Sequence, residues 1–272
     1  MREPKVLVKL HGGLGNNMFR FATFESFKYT YPEYYSQIAY TGYPNCNLAN
    51  SYFKANSLDI YKNTIYSKIK GNFDYQSKID RKSIQEYEPD HFETLDFIKN
   101  EKENLLIDGW YQNHNLFTNK WFVKGLFDLS KIPLQEDMIQ VLNTKKCVSL
   151  HVRRGDYLAI PGVLPLLSVD YYQQALNIIG EYDHLFIFSD DIEWCRANFN
   201  FNNMTFISAD ELTSLKIMTL CSHHIICNSS FSWWGAYLSN SQKVIMPFNW
   251  EGPDVKNPRP IRHYQLDDWI AI

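Results

Sequence analysis

The chain has 272 residues, room for one large domain or two small ones, with 45% hydrophobic and 21% charged residues. Lys plus Arg number 27 against 30 Asp plus Glu, a formal net charge of -3, which argues against a general nucleic-acid-binding surface. No apolar run reaches bilayer-spanning length, and the opening Met1-Arg-Glu-Pro-Lys-Val6 lacks the apolar stretch of a signal peptide.

Lys5–Leu10 reads as a short strand, and Gly12-Gly-Leu-Gly15 as a tight turn. Asn16 is placed to cap a helix running to about Tyr29, so the chain opens as an α/β unit. Residues 31–100 are rich in Tyr, Asn, Lys and Ser and have poor periodicity. Leu105–Trp110 reads as a buried strand, with helical patterns near 112–125 and 134–143. The second half is cleaner. Strands are expected at 147–152, 184–188, 204–207, 224–227 and 244–246, with helices at 171–180, 193–199, 213–221 and 232–239. Apolar strands alternating with helices predict a parallel sheet covered on both faces. The boundary between halves is expected between 130 and 146, and Pro253–Pro260 as a loop.

Five cysteines, at 46, 147, 195, 221 and 227, form no C-x-x-C pair. Cys147 and Cys227 lie in apolar runs and read as buried thiols, which fits a reducing compartment. Aromatics reach 16%, a composition that fills cores and also suits stacking on the apolar faces of sugars.

Ligands of open α/β sheets bind outside the carboxyl ends of the strands. Four marked clusters fall at such ends: 12–16, 151–157, 189–191 and 228–234. In His151-Val-Arg-Arg-Gly-Asp-Tyr157 the strand period places His151 and Arg153 on one face and Arg154 on the other. Adjacent arginines repel unless an anion or a carboxylate partners them, and a guanidinium fork matches phosphate oxygens. Asp156 could hold a guanidinium, accept a hydrogen bond from a ligand or act as a base; a plain surface salt bridge explains the same letters. Gly13 and Gly15 could bring backbone N–H groups to a phosphate, or simply turn the chain. Ser189 and Asp190 could bind a ribose or base, or serve helix capping. Asn228-Ser-Ser-Phe-Ser-Trp-Trp-Gly235 offers hydroxyls at a helix start, an anion-binding geometry or an ordinary N-cap. The chain contains no D-x-D and no H-E-x-x-H, so no metal site is expected.

Taken together, Gly12-Gly-Leu-Gly-Asn-Asn-Met-Phe19, the 151–157 segment, Ser189-Asp-Asp191 and Asn228-Ser-Ser-Phe-Ser-Trp-Trp-Gly-Ala236 resemble the α-1,2-fucosyltransferase family over nearly the whole chain, with 31–110 matching loosely. The resemblance implies a GT-B-like α/β fold of two Rossmann-like domains facing a central cleft, an acceptor-side domain at 1–140 and a GDP-fucose-binding domain at 141–272. It implies metal-independent, inverting transfer from GDP-β-L-fucose to the 2-hydroxyl of a galactose-terminated glycan, with no cofactor. Arg153 matches the arginine on the β-phosphate, where charge grows as GDP departs, and His151 a residue near guanine. Arg154 and Asp156 complete the motif; Asp156 is the candidate base, because a base must reach the acceptor hydroxyl, and a base-poor mechanism driven by leaving-group stabilisation is the alternative. Ser229, Ser230, Phe231 and Ser232 match the segment lining diphosphate and fucose; Gly13, Gly15 and Asn16 match a loop closing over the donor. Asn17 stands where the family usually has Gln, Arg20-Phe21 replaces a usual Gln-Tyr, His11 is unusual and is assigned no role, and Ser214 stands where an acidic residue is common, with Asp210 or Glu211 as substitutes. Two other readings share these motifs: a fucosyltransferase of different acceptor or linkage, and a non-catalytic glycan-binding protein on the same fold. A cytoplasmic enzyme, peripheral at the inner membrane face through a lipid-linked acceptor, completes the expectation.

Overall fold

The computed structural model describes residues 6–10, 12–35, 38–42, 94–100, 105–107 and 109–272. Cys46, His11 and most of 31–100 lie outside these residues. The chain forms two compact units, Met1–Lys131 and Ile132–Ile272.

In the N-terminal unit, β1 (Val6–Leu10) lies between β2 (Ile38–Gly42) and β3 (Leu105–Ile107), and both pairings are parallel. Gly12 takes φ +78, a conformation that favours glycine, and turns the chain into α1 (Leu14–Thr30). The expected cap at Asn16 is corrected: Gly13 occupies the N-cap without a side-chain bond, and Asn16 lies in the first turn. Its Oδ1 accepts from Gln112 Nε2 at 2.6 Å, so the side chain is turned across to the segment after β3. α1 is buried on nearly every side, so its polar residues need internal partners. Arg20 donates through Nε to Gly109 O (2.6 Å) and through Nη1 to Asn17 Oδ1 (3.1 Å), and it lies over Trp110. Lys28 pairs with Glu25, which also accepts from Tyr40 Oη at 2.8 Å. Two further helices, α2 (Asp96–Asn100) and α3 (Lys120–Leu126), belong to this unit. The helical pattern expected over 112–125 is thus split into a 3-10 turn, His114–Leu116, and α3.

The C-terminal unit opens with α4 (Glu136–Thr144) and then winds β4 (Cys147–Val152), α5 (Val169–Ile179), β5 (His184–Ser189), α6 (Ile192–Asn198), β6 (Met204–Ile207), α7 (Glu211–Thr219), β7 (His223–Ile225), α8 (Ser230–Leu238), β8 (Lys243–Met246) and β9 (Trp269–Ala271). All pairs are parallel, in the order β6-β5-β4-β7-β8-β9. Counted from β4, that order reads 3-2-1-4-5-6, the doubly wound arrangement, and its direction reverses between β4 and β7.

Every residue of β4 is buried, as a central strand covered on both faces requires. Val148, Leu150 and Val152 pack with Tyr172, Ala175 and Leu176 of α5 and with Cys195 of α6. Cys147 instead joins Phe186, Phe188, Ile217 and Met218, with α4 residues Met138 and Val141 packed against that cluster. All of α4 therefore belongs to the C-terminal core. β7 is shorter and starts one residue earlier than expected, and β9 was not anticipated. The four described cysteines are free and buried. Among the described residues no helix is long and apolar enough to cross a membrane.

Candidate active site

The crevice of a doubly wound sheet opens where neighbouring strands send their chains to opposite sides, here between the carboxyl ends of β4 and β7. The segments following β4, β5 and β7 carry Arg153-Arg-Gly-Asp156, Asp190-Asp191 and Cys227-Asn-Ser-Ser230. Three of the four expected clusters thus meet in one unit, and the fourth, at 12–16, belongs to the N-terminal unit.

The two arginines have different partners. Arg154 donates from Nε to Asp191 Oδ2 (3.0 Å), and its guanidinium lies 4.1 Å over the Trp194 ring. Asp191 also caps α6, its Oδ1 accepting from Trp194 N–H. Arg154 is therefore built into the α6 face of the sheet. Arg153 points to the mouth. Its Nε donates to Asp156 Oδ1 (3.0 Å) and lies 3.2 Å from Asp190 Oδ2, and its Nη2 reaches Asp156 Oδ1 at 2.8 Å. Nη1 has no hydrogen-bond partner among the described residues. The side chain keeps 36% of its surface exposed, so a ligand anion can reach a guanidinium already oriented by two carboxylates.

Asp190 also accepts from Arg154 N–H through Oδ1 at 2.9 Å, which pins the bend after β4. Gly155 makes this approach feasible, because a Cβ there would stand 2.5 Å from Asp190 Oδ2. Ser189 is engaged too, its Oγ accepting from Asp191 N–H. Asp156 starts a short 3-10 turn, Asp156–Ala159, and its side chain is 63% exposed.

His151 is buried, with Nδ1 3.1 Å from Cys227 Sγ and its ring 5.6 Å from Phe231. Burial, assisted by the charge of Arg153, pushes its pKa down to about 3, so the imidazole is neutral at neutral pH. Ser229 caps α8, whose first turn contains no acidic side chain, leaving that N-terminus favourable to an anion. Ser232 is buried and donates to Ser229 O, so its hydroxyl faces the helix start rather than open space.

Sequence reasoning gave no role to two residues that help tie these loops together. Tyr157 Oη donates to Asn228 O (2.8 Å), and the Asn228 amide donates to Pro165 O (3.1 Å) and Trp250 O (3.2 Å). Asn228 thus joins the loops following β4, β7 and β8. Both residues stood inside the quoted motifs, whereas nothing in the sequence singled out Trp194. Asp210, a proposed substitute for a missing acidic residue, caps α7: its Oδ1 accepts from Leu212 and Thr213 N–H and its Oδ2 from Thr213 Oγ1. Those bonds hold its carboxyl below its usual range. Among the described residues no group of three or more His, Cys, Asp or Glu is arranged to hold a metal ion.

A family model, Glycosyl transferase family 11, matches residues 2–272. The chain belongs to glycosyl transferase family 11. Among its relatives, an α-1,2-colitosyltransferase of Escherichia coli is 30% identical over 90% of this chain and 92% of that one. A galactoside 2-α-L-fucosyltransferase of Bos taurus is 32% identical over 46% of this chain and 38% of that one. Of the solved structures, the fucosyltransferase NodZ from Bradyrhizobium aligns at 12% identity and a TM-score of 0.49, over 88% of this chain and 94% of that one. As a family 11 member the chain is a glycosyltransferase, and the cluster at the β4/β7 switch point is its candidate donor site.

Proposed function

We propose that the protein transfers L-fucose from GDP-β-L-fucose to the 2-hydroxyl of a terminal galactose, with inversion and without a metal ion. The observation that carries this reading is Arg153, held by two carboxylates at the mouth of the switch-point crevice with one guanidinium nitrogen uncommitted. The acceptor O2 forms a bond to C1 of fucose as the C1–O bond to the β-phosphate breaks. The electron pair leaves with GDP, and Arg153 with the α8 N-terminus meets the growing charge. Asp156 takes the hydroxyl proton. In the ligand-free geometry Asp156 is paired with Arg153, so a diphosphate that claims the guanidinium also releases the base.

In this reading the C-terminal unit binds the donor, with His151, Arg154, Ser189, Asp190, Ser229, Ser230, Phe231 and Ser232 lining or supporting the site. The N-terminal unit, with Gly13, Gly15 and Asn16 in its glycine turn, supplies the acceptor side. The absence of D-x-D from the sequence supports the metal-free reading. The protein works in the cytoplasm, meeting a lipid-linked acceptor at the inner membrane face.

Incubation with GDP-fucose, a galactoside panel and EDTA tests the reading. GDP release with a new α-1,2-linked fucoside, unaffected by EDTA, is the expected result. No release with any acceptor would sink it, and loss with EDTA would remove the metal-free mechanism. A second donor, GDP-linked colitose, is favoured by the colitosyltransferase relative. Fucose and colitose differ by one hydroxyl at C3, so a site that hydrogen-bonds that hydroxyl discriminates strongly against colitose. Competition between the two donors separates the readings.

A further inference from the structure

Two polar groups at the switch point have no role in the reaction as written above: the Cys227 thiol and the free nitrogen of His151. They sit 3.1 Å apart, sulfur to Nδ1, and His151 is 6% and Cys227 1% exposed. Burial pushes the thiol up to about 12 and, with Arg153, the imidazole down to about 3. At neutral pH both groups are therefore uncharged, with one proton on sulfur and one on the ring.

The positions of these two protons follow from the neighbours. Of the two acceptors near the sulfur, Ser232 Oγ is the farther at 3.8 Å, its own hydrogen going to Ser229 O. The S–H bond is therefore directed to the nearer Nδ1, which must carry the lone pair. The ring proton is left on Nε2. That nitrogen has no hydrogen-bond partner among the described residues, yet it is not among the buried atoms cut off from solvent. Its surroundings, the end of β4 and Phe231 in the first turn of α8, are those of the crevice.

We propose that Cys227 is a positioning residue that fixes His151 in its Nε2–H tautomer, so that a neutral hydrogen-bond donor faces the crevice and takes an oxygen of a bound nucleoside diphosphate. The ligand half of this proposal rests on the donor-site reading above; the tautomer does not. A thiol suits the task, being a neutral donor small enough for a packed core and inert at this degree of burial.

Nitrogen-15 NMR of the ring-labelled, ligand-free protein reads the tautomer, and calorimetric titration with GDP reads its consequence. His151 is expected to show a protonated Nε2 and a bare Nδ1 from pH 5 to 9. Cys227→Ser keeps a donor on Nδ1 and should retain both that signature and GDP affinity. Cys227→Ala should shift the ring toward the Nδ1–H form and weaken GDP about five- to tenfold, the worth of one hydrogen bond. An Nδ1–H signature in the wild type overturns the role of Cys227 while leaving GDP binding intact. A shifted tautomer with unchanged GDP affinity overturns the link to the ligand. Wild-type protein that binds no GDP overturns the donor-site reading, and with it the ligand half. If Cys227→Ala fails to fold, the wild-type signature and its retention in Cys227→Ser decide the matter.

Discussion

Two neighbouring places on β4 use nearly the same chemistry for different ends. Ser149 and His151 occupy one face of the strand, two residues apart. Each bonds a residue of β7 or the segment after it: Ser149 Oγ lies 2.6 Å from His224 Nδ1, and His151 Nδ1 lies 3.1 Å from Cys227 Sγ. Both imidazoles are driven down to about 3 by burial. At the inner position the second ring nitrogen, His224 Nε2, is sealed in the core without a partner. At the outer position the second nitrogen, His151 Nε2, is not sealed off in this way, and two residues further along the chain stands Arg153. One turn of the pleat, about 7 Å of strand, separates a structural pair from a candidate ligand site. Depth along the strand, more than residue type, sets the role.

The comparison breaks first at Arg153. Arg153→Ala should lower kcat/KM by at least about 100-fold, corresponding to about 3 kcal/mol of lost leaving-group stabilisation. Its melting temperature should stay near that of the wild type, because the side chain is partly exposed and packs in neither core cluster. Steady-state GDP release and a thermal melt check both halves; unaltered turnover would exclude the role. Ser149→Ala should do the reverse. It leaves both nitrogens of His224 without partners and should cost about 1–3 kcal/mol of stability in denaturant titration, while kcat in the folded fraction is unchanged. A loss of kcat at full stability would dissolve the distinction between the two positions.

Gly155→Ala probes the frame around Arg153. The added methyl meets Asp190 Oδ2 and should push the carboxylate away from both arginine contacts. The expected effect is a rise of a few-fold in KM for the donor, about 1 kcal/mol, with a smaller change in kcat. A further test concerns pH. His151 and His224 are lowered from 6.5 in the unfolded chain to about 3 in the native state. The unfolded chain therefore binds more protons below pH 6.5, and the stability present above that pH is lost progressively as pH falls toward 3. Each histidine should contribute about 1.4 kcal/mol per pH unit well inside that window. Replacing His224 by Gln should flatten the slope between pH 6.5 and 5, above the usual carboxylate range; an unchanged slope would show that the ring is accessible to protons in the native state.

Much of the C-terminal fold was legible because strands buried on both faces read as continuous apolar runs. The segments at 147–152 and 184–188 were found where β4 and β5 lie. The strand expected at 224–227 starts one residue late because His223 is a polar letter that the core accommodates, and runs two residues too far because the buried Ile226 and Cys227 extend the apolar run past the end of β7. β9 escaped notice because it has three residues and only Trp269 is buried among them. At the site, residue types at strand ends marked Arg153, Arg154 and Asp156 in one cluster and Asp190 in another, without the contact between Arg153 and Asp190. The division of labour between the arginines was hidden. Asp191 and Trp194 reach Arg154 from the start of α6, a contact that strand periodicity cannot reveal. The Cys227–His151 bond spans 76 residues and was likewise invisible.

The most direct measurement is calorimetric titration of GDP into wild-type protein, Arg153→Ala and Ser149→Ala under one set of conditions. If the crevice at the end of β4 is the donor site, Arg153→Ala binds GDP at least about tenfold more weakly, while Ser149→Ala, where folded, binds it as the wild type does. Equal affinity in all three proteins would contradict the account.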